Sequence, residues 1–191
     1  NKTGKTKFSE IKRIIEYAEN LGITNIDTAI AYGDAENILG RVGVKNFKVT
    51  SKLPFIEKSR IEDIKKLVKK SLSNLKKRQL ECLLIHSTKN LDNNLKQILQ
   101  EMEKLKKQKL VEKIGISTNN FKKFNEIIKK FDIDVLQVPY NILDKRVTDK
   151  KNLLIIKKKN IEIQIRSIFL QGLFFKNYNN INEHLKSIIN K

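Results

Sequence analysis

Cysteine is all but missing from this chain of 191 residues, which holds Cys82 alone. No intrachain disulfide can form and no cysteine cluster can hold a metal, as fits a reducing cytoplasm. No apolar run approaches the roughly 20 residues that span a bilayer, so no membrane partner is expected. The opening Asn1-Lys2-Thr3-Gly4-Lys5 has neither the apolar core of a signal peptide nor an initiating methionine, and we expect residues before it. Also lacking are a Gly-x-Gly-x-x-Gly after any predicted strand, zinc-finger spacing, an arginine-rich tail and an aromatic-rich RNA signature.

Acidic residues are scarce beside basic ones, 21 against 40, for a net charge of +19. Such an excess raises the prospect of a polyanionic partner. The lysines, however, are spread over nearly every predicted helix, in pairs such as Lys65-Lys66, Lys69-Lys70 and Lys129-Lys130, and alternate with Ile and Leu. Solvated faces of amphipathic helices have this composition, so a nucleic-acid partner is not expected.

What the chain does have is alternation. Phe8–Leu21 carries Ile11, Ile14, Ile15, Ala18 and Leu21 at helical spacing, with Ser9 as candidate N-cap and Gly22 as stop. Strands are expected at Thr24–Ala29, Phe47–Leu53, Leu80–His86, Val111–Ser117, Val135–Tyr140 and Ile161–Ile168. Between them come helices opened by a Ser59–Glu62 capping box, then over residues 91–108, 121–131 (capped by Asn119 or Asn120) and 148–159. Residues 172–182 read as a loop and 183–190 as a last helix.

Strands separated by helices indicate a parallel sheet, either open and doubly wound or closed as a barrel. The missing dinucleotide fingerprint counts against the first. Polar residues gather at the C-terminal ends of the strands: Asp27, Ser51-Lys52, His86-Ser87, Ser117-Thr118, Gln137 and Arg166-Ser167. Active sites of (β/α)8 barrels are built on that rim. The expected fold is therefore α/β, a (β/α)8 TIM barrel formed by residues 1–191 as one domain, incomplete at both ends and lacking its first and last strands.

Four rim residues could share acid–base work. A tyrosine is a sluggish acid at neutral pH unless a nearby cation lowers its pKa. Lys52 can supply that cation for Tyr32, Asp27 can pair with Lys52, and His86 can hydrogen-bond a substrate carbonyl. A polarised carbonyl then takes a hydride, which only a cofactor can donate.

Asp27-Thr28-Ala29, Tyr32-Gly33, Glu36, Leu39-Gly40, Thr50-Ser51-Lys52 and Leu84-Ile85-His86-Ser87 resemble, in order and spacing, the signatures of the aldo-keto reductase superfamily. The resemblance implies Tyr32 as proton donor, with Asp27, Lys52 and His86 completing a catalytic tetrad. It extends to Gly115-Ile116-Ser117-Thr118-Asn119 and to Gln137, implying that Ser117 and Gln137 hold a nicotinamide carboxamide; Thr118 stands where the family has Asn. Arg166 and Ser167 match the strand end set against the nicotinamide ring, and Ser167–Leu173 resembles a bacterial subgroup. The resemblance thus implies an NADP(H)-dependent enzyme, NAD(H) being the lesser expectation, that reduces a small aldehyde, ketone or sugar-like carbonyl in the cytoplasm. The alternative is a non-catalytic binding or regulatory subunit of the same family. Phe55, Phe174, Phe175 and Tyr178 are candidates to face substrate, Cys82 reads as inert core and His184 as an exposed residue.

Overall fold

A strand that is apolar on both faces needs cover on both sides, and the chain provides it by putting a helix after nearly every strand. The computed structural model describes residues 5–86 and 94–175. Helix α1 (Phe8–Asn20) leads into β1 (Asn25–Asp27), followed by α2 (Ala35–Val42), β2 (Lys48–Leu53), α3 (Ile64–Leu75) and β3 (Leu80–Ile85). Then come α4 (Leu95–Lys107), β4 (Val111–Ser117), α5 (Phe121–Ile128), β5 (Val135–Pro139), α6 (Lys150–Lys158) and β6 (Glu162–Arg166). The six strands are all parallel and lie side by side in chain order.

Two hydrogen bonds show that this sheet curls. Thr50 on β2 donates to Gln164 on β6 at 3.4 Å, and Gln137 on β5 donates to Asp27 on β1 at 2.8 Å. In a flat sheet, strands four places apart would be separated by about 19 Å. The sheet is therefore the wall of a partial (β/α)8 barrel, as expected, and not an open doubly wound sheet.

The two faces of the wall differ. Outward residues such as Leu53, Leu83, Ile85, Ile116, Leu136 and Val138 pack with Val68, Leu72, Ile98, Met102 and Phe124 of the helices into the main core. The inward face has a small apolar cluster of its own, Cys82, Leu84 and Val135. Burial there pushes the Cys82 thiol far above its ordinary pKa, so it is the inert core residue anticipated. Polar residues of the same face stand above this plug, at the C-terminal rim.

Local details depart from the sequence reading at the helix starts. Lys7, not Ser9, occupies the N-cap of α1, and Ser9 lies inside the helix. The Ser59–Glu62 box is not a helix start: Lys58–Asp63 forms a 3-10 segment in which Arg60 leaves helical angles, and α3 begins only at Ile64. Helix α2 was not anticipated at all. Asn120 does cap α5, accepting from the Lys123 amide, and Gly22 turns the chain after α1 with φ 74°. Asp149 caps α6, accepting from the Lys151 and Asn152 amides, so the expected start at Thr148 moves by two residues. Ser87 and the helix expected at 183–190 lie outside the described residues.

Candidate active site

The rim is assembled by the strand ladder itself. Beyond the end of β1 the chain keeps pairing with β2: the Thr28 amide donates to the Thr50 carbonyl and the Ile30 amide to the Lys52 carbonyl. This carries the loop over the end of β2 before it turns, with the Tyr32 amide donating back to the Ala29 carbonyl and Gly33 at φ 61°. Tyr32 is thereby set above Lys52, whose ammonium lies 5.5 Å from the ring centre. His86, extending β3 through a bond from its amide to the Leu53 carbonyl, meets Tyr32 edge to face at 5.8 Å between ring centres.

Lys52 is 1% exposed, and its ammonium donates to Asp27 Oδ2 at 2.5 Å and to the Thr28 carbonyl at 2.7 Å. A buried ammonium needs such partners to offset its lost hydration. Burial nevertheless lowers the Lys52 pKa, against the upward pull of Asp27. Asp27, 46% exposed, uses its other oxygen to accept from Gln137 Nε2 at 2.8 Å. Gln137 Oε1 in turn accepts from the Ser117 hydroxyl at 2.9 Å. A continuous chain, Ser117–Gln137–Asp27–Lys52, thus joins four strand ends. Sequence reasoning had all four residues but not the link between Gln137 and Asp27, which are 110 residues apart.

One electrostatic expectation is overturned. Lys52 was expected to pull the Tyr32 pKa down. Instead it is raised, by burial and by the Asp27 carboxylate, and the cation that lowers it is Arg166. Burial, which disfavours the phenolate, is the larger cause, and the Asp27 carboxylate adds to it. Tyr32 therefore keeps its proton through the neutral range. The His86 imidazole is held below its ordinary pKa, first by burial and then by the charges of Lys52 and Arg166.

Of the remaining candidates, Arg166 ends β6 opposite Pro139 in the register, and exposed Ser167 follows it in a left-handed turn with φ 60°. Thr118 is buried, and its hydroxyl accepts from the Asn120 amide, which ties it to the start of α5. Ser51, placed on the rim by sequence, faces the other way: with Ser71 of α3 it donates to the buried Glu36 carboxylate, at 2.6 and 2.7 Å. This cluster clamps α2, and with it the Tyr32 loop, to the strand that carries Lys52. In the sequence Glu36 stood only among the residues of the family resemblance, with nothing to join it to Ser51. Phe55 is 45% exposed just past the end of β2. Tyr178, His184 and the side chains of Phe174 and Phe175 lie outside the described residues. A cleft of about 850 Å³ lined by Asn119, Asn120, Lys145 and Arg146 opens beside the rim and includes none of the tetrad. Among the described residues no group of three or more His, Cys, Asp or Glu is placed to hold a metal, and no helix is long and apolar enough to cross a membrane.

The architecture and the rim define a class, the parallel (β/α) barrel with a Tyr–Lys–Asp–His cluster at its C-terminal face. The family model for the aldo/keto reductase family matches residues 1–188, and the chain belongs to that family. The oxidoreductase YqkF of Bacillus subtilis (strain 168) is 25% identical over 183 residues, covering 88% of this chain and 58% of its own length. Among solved structures, the holo form of aldo-keto reductase AKR11C1 from Bacillus halodurans matches with a TM-score of 0.77 and 22% identity over 88% of this chain and 60% of that one. An aldo/keto reductase from Klebsiella pneumoniae, in complex with NADP and acetate, matches with a TM-score of 0.68 and 19% identity over 86% and 58%. The chain thus spans about 60% of the length of these relatives.

Proposed function

We propose that the protein is a carbonyl reductase that uses NADP(H), in preference to NAD(H), to convert a small aldehyde, ketone or sugar-like substrate to an alcohol. The observation that carries this reading is the convergence of Tyr32, Lys52, Asp27 and His86, from three strand ends, in one cluster of contacts. Tyr32 gives its proton to the carbonyl oxygen; it is 49% exposed and so can meet a substrate. The charge that favours the phenolate left behind is that of Arg166, while Lys52, held by Asp27, lies 5.5 Å from the ring centre. His86, neutral because its pKa is depressed, donates a hydrogen bond that orients the carbonyl.

The residues present suit a nicotinamide. The Ser117 hydroxyl and the Gln137 amide are buried, face the interior and together offer a donor and an acceptor, the complement of a primary carboxamide. When bound, the reduced nicotinamide supplies the hydride. Ser117 and Gln137 would hold the carboxamide, and Arg166 and Ser167 would serve the ring side of the cofactor. The preference for the phosphorylated cofactor draws on the family, on the NADP of the Klebsiella relative and on the net charge of +19. The single buried cysteine suits a cytoplasmic setting.

The test uses the whole gene product, NADPH and a panel of aldehydes, followed by nicotinamide absorbance. Turnover is expected, with Tyr32→Phe lowering kcat by about 10²- to 10⁴-fold while NADPH binding is kept. A Tyr32→Phe variant as fast as wild type would overturn the assignment. Binding of NADPH with no turnover of any carbonyl would favour the non-catalytic subunit.

A further inference from the structure

Arg166 stands out on this rim because, among the described residues, no carboxylate bonds to its guanidinium. It lies two residues beyond Gln164 on β6, and Gln164 pairs with Gln137 in the register, so all three share the interior face. Its backbone is pinned from two sides. The Tyr140 amide donates to the Arg166 carbonyl at 3.1 Å, and Asn141 Nδ2 donates to the Ser167 carbonyl at 3.2 Å. Among the described residues the guanidinium makes one weak contact, to Ser167 Oγ at 3.4 Å, and no carboxylate pairs with it.

The acids of this rim are already engaged. Asp27 serves Lys52 and Gln137, and both oxygens of Asp144 serve Arg146. Among the described residues the rim thus sets three cations, Lys52, Arg146 and Arg166, against two carboxylates, Asp27 and Asp144, the latter feeling Arg166 as well, and keeps a net positive charge. That charge is felt at the reacting groups: it acts on Tyr32, His86 and Lys52 alike. Water solvates this partly exposed guanidinium, and an anionic ligand that displaces the water would meet N–H donors that no carboxylate among the described residues holds.

We propose that Arg166 anchors an anionic group of the substrate, so that the site takes carbonyl compounds bearing a carboxylate or a phosphate. This rests on the carbonyl-reductase reading and narrows its substrate class. It is compatible with Arg166 beside the nicotinamide, because a guanidinium has two separable surfaces. Its flat face stacks on a ring, while its edge presents N–H donors in the fork that suits carboxylate and phosphate oxygens. A carbonyl held at Tyr32 and His86 places the rest of a small substrate within the same interior face, where that edge is available.

The experiment compares matched pairs on the whole gene product with saturating NADPH: succinic semialdehyde against butanal, and glyceraldehyde phosphate against glyceraldehyde. Wild type is expected to favour the charged member of at least one pair, which also tells carboxylate from phosphate. In Arg166→Gln the ratio of kcat/KM, charged over neutral, should fall about tenfold or more, whatever loss both members share through the cofactor. Arg166→Lys should restore part of the ratio, and the wild-type preference should weaken as salt screens it. A wild type with no preference, or an equal loss for both members, overturns the inference and leaves Arg166 to the cofactor alone. If wild type reduces no carbonyl, the reading of the reaction fails; calorimetric titration with succinate then still decides the anchor, since binding undiminished in Arg166→Gln overturns it.

Discussion

His86 shows how one side chain ties the site to the stability of the fold. Burial and two neighbouring cations hold its pKa below 6.5. In the unfolded chain the imidazole takes a proton near that ordinary value; in the folded chain it does so only at lower pH. Through this window the unfolded state binds more protons, so stability falls as pH drops. The urea midpoint of wild type should therefore fall between about pH 7.5 and pH 5, and by more than that of His86→Gln. Equal slopes in the two proteins would remove the argument. Tyr32 moves the other way: its raised pKa keeps the phenol protonated to higher pH, so the fold loses stability at Tyr32 only once pH climbs past the ordinary phenol value near 10.

At the scale of elements, the contact between α2 and α3 is close enough for a single methyl group to test. A Cβ built on Gly40 would fall 1.9 Å from the Asn74 carbonyl oxygen and 2.9 Å from the Leu75 carbonyl carbon, both of them backbone. Neither can swing aside, so Gly40→Ala must part the helices. We expect it to destabilise by at least about 1–3 kcal/mol in urea unfolding, and to slow turnover because α2 follows the Tyr32 loop. A change under roughly 0.5 kcal/mol would show that the helices yield freely. The same helix shows why the sequence reading was uneven. Strands such as Leu80–Ile85 were legible because a nearly continuous apolar run buried on both faces leaves little choice. Helix α2 was not, since it is eight residues long and spends two inward positions on Gly40 and Glu36, which hides its apolar period. The apparent capping box failed because a four-residue pattern cannot reveal the break at Arg60. At the site, residue types and their strand ends could be read, but the Gln137–Asp27 bond depends on the curl of the whole sheet, and the direction of the Tyr32 shift depends first on burial that only the folded loop creates.

At the scale of the whole molecule, two tendencies oppose each other. Among the described residues β1 and β6 are the end strands of the sheet, each paired on one side only. Near β6 the chain exposes Ile165 at 37% and Leu154 at 58%; near β1 it exposes Ile14, Tyr17 and Leu21. Unpaired edges with apolar neighbours invite association, while a net charge of +19 repels a second copy. Salt sets the balance, because the screening length shrinks from about 30 Å at 0.01 M to about 8 Å at 0.15 M, whereas apolar contact is hardly weakened. The isolated 191-residue polypeptide should therefore scatter light as a smaller species at low salt and as a larger one near physiological salt. Replacing Ile165 and Leu154 together by Lys should suppress that rise, since it adds charge at the edge where contact begins. If salt left the mass unchanged, or the double variant rose as wild type does, the β6 edge would not be the surface that associates.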